Sequence, residues 1–474
     1  MNKNLIKDHK QIGIEQELFF TSEYAPGAPF WLPKGMIIFK ELEKFIRKLT
    51  EKAGYQETST PIMVKTKIFK ESGHWENFGE EAMYNLADYE TEQIQELDAI
   101  LQSEQETKKI IKAFEDSHNG KAPILAAFDL HGEIPLKNGE IIETIVTCTK
   151  GADGRYFFNR TLKPNLTLKP MNCPESTVLY RFRPRSYKEL PLRLSEIGRL
   201  HRREQSGEIN GLLRVRQITM DDAHVFTTDE QILSEVKSIL DMMISFYDSF
   251  GFKYEFMLAT RPEVFAGDEE NWKTAEKDLE EALKSRELKY TMKEKEGAFY
   301  GPKIDVHIKD ALGRDWQLAT VQLDFHMPAA FDLKYVDQEG KQKRPVMIHR
   351  AIFGSFERFT AILTEHYVGA FPIWLSPVQV VLIPISERHV EAVEKMAEEL
   401  RKENIRVEVD SRSETMQAKI RQATLQKVPY MGIIGDKEIN DRIISVRTRE
   451  GKDLGQLNLS HFVKRVKQEI DQKV

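Results

Sequence analysis

The stretch that most restricts the fold runs from Leu192 to Phe226, LRLSEIGRLHRREQSGEINGLLRVRQITMDDAHVF. LPLRLSEIG, from Leu190, alternates roughly apolar and polar, as does LLRVRQITMDDAHVF, so both read as strands. The turn-rich EQSGEING between them folds the second back antiparallel to the first. Two strands would then carry Arg202, Glu204, Arg214, Arg216, Asp221, Asp222 and His224. Guanidinium forks on a sheet suit phosphate, and an acid two residues after Arg202 would share its face of the strand. The charge pattern alone fits a salt-bridged surface hairpin at least as well.

Composition narrows the class. With 474 residues, 41% of them hydrophobic, the chain is long enough for two or three cored domains. MNKNLIKDHKQIGIEQ lacks the apolar centre of an export signal. No apolar run approaches the ~20 residues of a membrane helix, so no membrane partner is expected. Cys148 and Cys173 cannot build a disulfide framework, which fits a reducing, cytoplasmic setting. The net charge of −6 argues neither for nor against RNA, because a polyanion needs only a local basic patch. No GxxxxGK[ST] phosphate loop occurs, which argues against a P-loop NTPase.

Taken in order, APGAPFWLPKG is a turn-rich loop. Met36 to Ala53 then places Ile37, Ile38, Phe39, Leu42, Phe45, Ile46 and Leu49 on one helical face. Gly54 ends that helix and YQETSTP runs extended into Pro61. Tyr89 to His118 is Glu/Lys-rich with helical spacing of Ile94, Leu97, Ile100, Leu101, Ile110, Ile111 and Phe114. Lys121 to Phe158 reads as short strands broken by HG, NG and DG turns. Asp229 to Phe250 and Asn271 to Lys289 read as helices; KYEFMLATRP, GAFYGPKIDVHIKD and DWQLATVQLDF read as strands. PVMIHRAIFGSFERFTAILTEHY reads as a strand turning through Gly354 into a helix. From about Trp374 onward strands and helices alternate, an α/β domain on a mostly parallel sheet.

Several of these segments, in this order, resemble one family. KPMNCP (Lys169 to Pro174), LPLRLSEIG, HRREQSG, LLRVRQIT, DDAHVF and MIHRAIFGSFERF (Met347 to Phe359) are similar to threonyl-tRNA synthetases, class II aminoacyl-tRNA synthetases. The Arg202–Glu204 stretch with its return strand resembles motif 2 of that class. The Met36–Ala53 helix with its strand resembles motif 1, the dimer interface, though by pattern alone it is a surface helix and an edge strand. The strand, Gly354 turn and helix bearing Arg358 resemble motif 3. The fold so implied is α+β: a class II catalytic domain of antiparallel sheet flanked by helices, residues 1–370, with an α+β insertion at 85–164, and a C-terminal α/β anticodon-binding domain, 371–474. The family usually carries further N-terminal domains, including an editing module; this chain starts almost at the catalytic core, so a short form without editing is expected, one that forms Ser-tRNA unless another protein clears it.

The resemblance also implies roles. Arg202 would meet the ATP α-phosphate, Glu204 the adenine amino group, and Arg214 and Arg358 the outer phosphates with Mg²⁺. Gln317 would lie near the ribose and Lys303 near the phosphates. Asp222, Tyr300 and Gln322 would surround threonine. Cys173, His224 and His349 have no metal-site spacing, yet the resemblance puts them around one Zn²⁺ per subunit. Two imidazoles and a thiolate leave an open position of catalytic type, which threonine would fill through its amino nitrogen and hydroxyl. Valine lacks the hydroxyl; serine lacks only a methyl, worth ~1–3 kcal/mol. His74, in SGHWENFGEEAMY, matches a histidine near the tRNA 3′ end, and Glu438, Arg447 and Arg449 match positions that read the anticodon. A homodimer that joins threonine to tRNA(Thr) with ATP is therefore implied. The alternatives are a paralogue that adenylates an amino acid for another carrier and a non-catalytic RNA-binding regulator. The sequence departs from the family at Ile218, usually Phe; Met220, usually Gln; Glu175, usually Gly; and Ser413, usually Asn. The insertion has no His/Cys cluster and reads as tolerated decoration, a tRNA contact or an interface extension.

Overall fold

The computed structural model describes residues 8–89, 91–117, 127–137, 141–150, 155–310 and 313–473. It divides into Met1–Thr60 with Asn172–Val474, and Pro61–Met171.

The first unit is built on eight strands. Their order is Tyr290–Lys293, Tyr254–Ala259, Lys303–Lys309, Asp315–Asp324, Val346–Ala351, Gln217–Thr227, Leu192–His201 and Gln56–Glu57. Neighbours are antiparallel except at the two edges, where pairing is parallel. Because side chains alternate with a period of two, each strand has one inward set. Ala223, Val225, Ile304, Val306, Ala319, Val321, Leu323 and Ile348 join a core with residues from the helices Pro33–Lys52, Ile232–Asp248, Glu269–Ser285 and Phe356–His366. Asp222, His224, Lys303, Gln322 and His349 are thereby turned to the opposite face. The helix Pro33–Lys52 starts with proline in its first turn and buries Ile38, Leu42 and Ile46. It ends just before Gly54, whose φ is +77°.

The paired segment that opened the sequence reading differs in one respect. Its strands are Leu192–His201 and Gln217–Thr227, so Arg202, Glu204, Arg214 and Arg216 occupy the connecting loop. The reason is a tight turn in which Asn210 and Arg214 bridge each other, while the Arg216 N–H donates 2.6 Å to the Gly27 carbonyl. Only the Arg202 N–H to Arg216 carbonyl bond, 2.9 Å, continues the ladder. Shared strand-face geometry therefore does not relate Arg202 to Glu204.

In the C-terminal part, five strands are ordered Val407–Val409, Val380–Pro384, Tyr430–Ile434, Ile443–Thr448 and Asp453–Asn458. The first three are parallel and the last two antiparallel, so the sheet is mixed where a mostly parallel one was expected. Helices Val390–Lys402, Met416–Leu425 and Leu459–Gln472 supply side chains to its cores.

The second unit holds a three-stranded sheet of Met63–Lys65, Leu166–Leu168 and Tyr84–Leu86, and another of Ala127–Pro135, Ile141–Lys150 and Tyr156–Leu162. The expected single helical run is two helices, Thr91–Leu101 and Glu104–Ser117, because Ser103 accepts the Glu106 N–H at 3.3 Å and starts a new helix. The expected HG turn is not one: His131 and Gly132 lie inside a strand, paired with Ile145 and Thr144. The expected NG and DG turns fall outside the described residues. Among the described residues no helix is long and apolar enough to cross a membrane.

Candidate active and metal site

Register brings the sequence-distant histidines together. His224 faces His349 across one strand pair, His349 faces Gln322 across the next, and Gln322 faces Lys303 across a third. Directly opposed residues point to the same side of a sheet, so these four form one row. Cys173 enters from the first turn of the helix Cys173–Arg181, whose Tyr180 ring sits 4.6 Å from Phe226 on the same face of the sheet. One ligand atom from each of Cys173, His224 and His349 lies within 4.8 Å of the other two, and all three residues are buried.

The surroundings suit a cation. His349 Nε2 is 2.8 Å from the buried Asp324 carboxylate, which orients the ring and leaves Nδ1 for a ligand, as carboxylate partners of metal-bound histidines do. Burial pushes the Cys173 thiol well above its ordinary value, and the carboxylates of Asp222, Glu175 and Asp324 add to that. A divalent ion opposes those causes and favours the thiolate. Two imidazoles and a thiol are a donor set that zinc accepts, so the residues fit the ion. Asp222 accepts 3.0 Å from Asn172 Nδ2. Gly198 allows this: a Cβ there would lie 2.4 Å from Asn172 Oδ1. The Tyr300 ring lies 5.4 Å from that of His349, and Gln322 donates to the Gly301 carbonyl at 3.0 Å.

Beside this row is a basic group. Arg358, in the first turn of its helix, donates to the Leu213 carbonyl at 3.0 Å and the Gln317 carbonyl at 3.1 Å. Its guanidinium lies 5.2 Å from the Trp316 ring centroid. Burial lowers its affinity for its proton, with Arg202 and Arg214 acting in the same sense. Burial does the same to Arg202, opposed by Glu204. Arginine stays charged in proteins, so this repulsion persists, offset in part by the Glu204 carboxylate. Glu204 takes Arg214 at 2.9 Å. Lys303 pairs with Asp305 at 2.7 Å, and Gln317 donates to the same carboxylate at 2.7 Å. Thr320 Oγ1 also bonds Asp305.

The scaffold beneath holds a second titratable group. Glu357, next to Arg358, accepts the Thr219 N–H at 2.9 Å, and burial raises its pKa from 4.5 to about 7. The folded carboxyl thus keeps its proton where the unfolded one has lost it. Stability from this group is highest at low pH and falls as pH climbs from 4.5 towards about 7. The loss is on the order of 3 kcal/mol. Glu357→Gln keeps an oxygen for Thr219 and has no proton to lose. Denaturant titrations should therefore find the variant gaining on the parent between about pH 5 and pH 8; a pH-independent difference would contradict the assignment.

The remaining expected residues lie elsewhere. His74 belongs to the second unit, buried, with Nδ1 2.8 Å from Ser72 Oγ. Glu438 is committed internally, accepting from Gly435 N at 3.0 Å and Ser445 Oγ at 2.8 Å. Arg449 donates to the Phe371 carbonyl at 2.6 Å. Arg447 lies on the strand Ile443–Thr448 opposite Met431. Ile218 is half-buried and pairs with Leu200, Met220 bridges Ser355, and Glu175 is buried in the Cys173 helix. Sequence reasoning missed Asn172, Asp305, Trp316 and Asp324. Asn172 adjoined Cys173 in a segment already singled out, and the other three lay in or beside strands already read; their roles depend on pairing that no local pattern encodes.

Residues 156–367 match the tRNA synthetase class II core domain (G, H, P, S and T) and residues 379–469 the anticodon binding domain. A threonine–tRNA ligase of Clostridium novyi (strain NT) is 42% identical over 98% of this chain and 62% of its own length. One from Thermotoga petrophila is 42% identical over 98% and 61%. The chain thus spans about three fifths of the length of these curated relatives. A crystal structure of the RNA binding domain of threonyl-tRNA synthetase from Cryptosporidium parvum Iowa II superimposes with a TM-score of 0.78, at 33% identity and 98% coverage of both chains.

Proposed function

The chain belongs to the threonyl-tRNA synthetase family, a class II family, and from that premise we propose that it activates threonine with ATP and transfers it to the 3′ end of tRNA(Thr). The observation that carries this reading is the buried Cys173–His224–His349 cluster, whose histidine strand Gln217–Thr227 is entered through the loop that holds Arg202 and Arg214, with Arg358 acting on both.

In the first step the threonine carboxylate attacks the α-phosphorus, the bond to the bridging oxygen breaks, and pyrophosphate leaves. The protein need supply no base, because the nucleophile is already an anion. Arg202 meets the α-phosphate and offsets charge growing on its oxygens. Arg214 and Arg358 hold the outer phosphates with Mg²⁺, Lys303 lies near them and Gln317 near the ribose. Glu204 accepts from the adenine amino group, which requires a carboxylate oxygen beyond the one bonded by Arg214. Zn²⁺ held by Cys173, His224 and His349 would supply positive charge and an open coordination position for the substrate. Asp222, Tyr300 and Gln322 complete the threonine pocket, Asp222 being fixed by Asn172. In the second step a terminal ribose hydroxyl attacks the carbonyl and AMP leaves; His74 assists there. Glu438, Arg447 and Arg449 face the anticodon, with Glu438 and Arg449 as structural anchors of that surface. Domain limits of 1–370 and 371–474, an insertion at 85–164, a homodimer and a cytoplasmic setting belong to the same proposal.

The test is amino-acid-dependent ATP–pyrophosphate exchange with the full chain, followed by charging of total tRNA. Threonine should support both, and valine neither. Exchange driven by an amino acid other than threonine or the smaller serine, or exchange without tRNA charging, would defeat the reading.

A further inference from the structure

Nothing in the proposed chemistry uses His9, yet it is 1% exposed and bonded on both ring nitrogens. Nε2 lies 3.1 Å from the Leu212 backbone nitrogen. A peptide N–H only donates, so Nε2 is the unprotonated acceptor and Nδ1 carries the proton. Nδ1 is 2.8 Å from Glu365 Oε1, which also takes the His9 N–H at 3.2 Å. The geometry thus fixes one tautomer.

These bonds close a circuit through the nucleotide side of the site. Glu365 and Arg358 lie on the same helix, Phe356–His366. From Glu365 the path runs through His9 to Leu212, then to Leu213, whose carbonyl accepts Arg358 Nε at 3.0 Å. The intervening turn also positions Arg214, because Asn210 and Arg214 bridge across it. Lys10 adds a 3.3 Å bond to Asn210 Oδ1. Gly211, at φ +53°, makes the approach possible: a Cβ there would lie 2.3 Å from His9 Nε2. Asp8 anchors the short helix by accepting the Lys10 and Gln11 N–H groups at 3.1 and 3.0 Å.

We infer that His9 is a positioning residue for the nucleotide half of the reaction, holding the Asn210–Arg214 turn so that Arg214 and Arg358 face the ATP phosphates. This rests on the proposal that these arginines bind ATP. The circuit runs through Glu365, His9, Leu212, Leu213 and Arg358, whereas threonine recognition is built on the Cys173–His224–His349 cluster, so loss of His9 should separate the two substrates.

The experiment is pyrophosphate exchange with the full-length His9→Phe variant, which keeps an aromatic ring against Phe19 and removes both ring hydrogen bonds. KM for ATP should rise roughly tenfold or more, with KM for threonine and bound metal unchanged, while the melting temperature falls because Glu365 and the Leu212 N–H lose their ring partner. His9→Gln, which restores one acceptor, should recover part of the loss and covers the case in which the phenylalanine variant does not fold. Equal shifts for both substrates, or no shift for ATP in either variant, overturn the inference. Failure of the underlying ATP reading looks different: the parent chain would give no exchange at all.

Discussion

Cys173→Ala will abolish threonine selection while leaving the fold intact. Cys173 is buried in the first turn of its helix, alanine is a good helix former, and the helix keeps its packing through Tyr180 against Phe226. What is lost is one of three ligand atoms lying within 4.8 Å of one another. Two imidazoles on adjacent strands hold a zinc ion far less firmly than a third, anionic donor allows. Metal content should fall from one per chain towards zero, measured by atomic emission after dialysis. Threonine-dependent exchange should fall by about 10³-fold in kcat/KM, equivalent to ~4 kcal/mol. The residual activity should discriminate poorly between threonine and valine, because rejection of the missing hydroxyl depends on a polar partner left unsatisfied. If zinc and threonine preference both survive, selection must reside in Asp222, Tyr300 and Gln322 instead.

How much of this site could be read from the sequence follows from what sets each part of it. The helix Pro33–Lys52 was legible from Met36 onward because its apolar positions and terminal Gly54 are local signals, whereas its first turn, Pro33 to Gly35, reads as part of a loop. His224 and His349 were legible only as members of separate strands, since their meeting depends on the Gln217–Thr227 and Val346–Ala351 register, fixed by long-range pairing. Beneath it, Asp221 bonds Arg350 at 2.6 Å and the Ile352 N–H at 2.7 Å on the core side, locking the two strands and the turn into Arg358's helix. That buried pair reads in the sequence as two ordinary charges. Arg202 and Glu204 were assigned to the strand pair whose alternation was read on either side of them, but the strands stop at His201 and resume at Gln217, where the Asn210–Arg214 turn and the Gly27 carbonyl hold the chain off the ladder. His131–Gly132 misled in the opposite direction: a turn-forming pair was absorbed into a ladder with Ile145 and Thr144. Local chemistry thus announced the elements, and non-local bonds decided where the loops between them carry function.

The second large effect falls on the nucleotide. Arg358 is held by two carbonyls and faces an aromatic ring, so its guanidinium is preorganised before any ligand binds. Burial, and then the charges of Arg202 and Arg214, lower its affinity for its proton. A polyphosphate relieves that repulsion, so binding should stabilise the folded chain by mass action. Arg358→Lys keeps the charge but loses the planar fork, and an ammonium cannot bond both carbonyls and a phosphate in one plane. We expect exchange kcat/KM for ATP to drop about 10²–10³-fold, with zinc content and threonine KM unaltered. The rise in melting temperature that pyrophosphate gives the parent chain should shrink in parallel. A lysine variant that exchanges within about threefold of the parent, less than 1 kcal/mol, would reduce Arg358 to a structural clamp on Leu213 and Gln317, and would leave Arg202 and Arg214 to carry the phosphates.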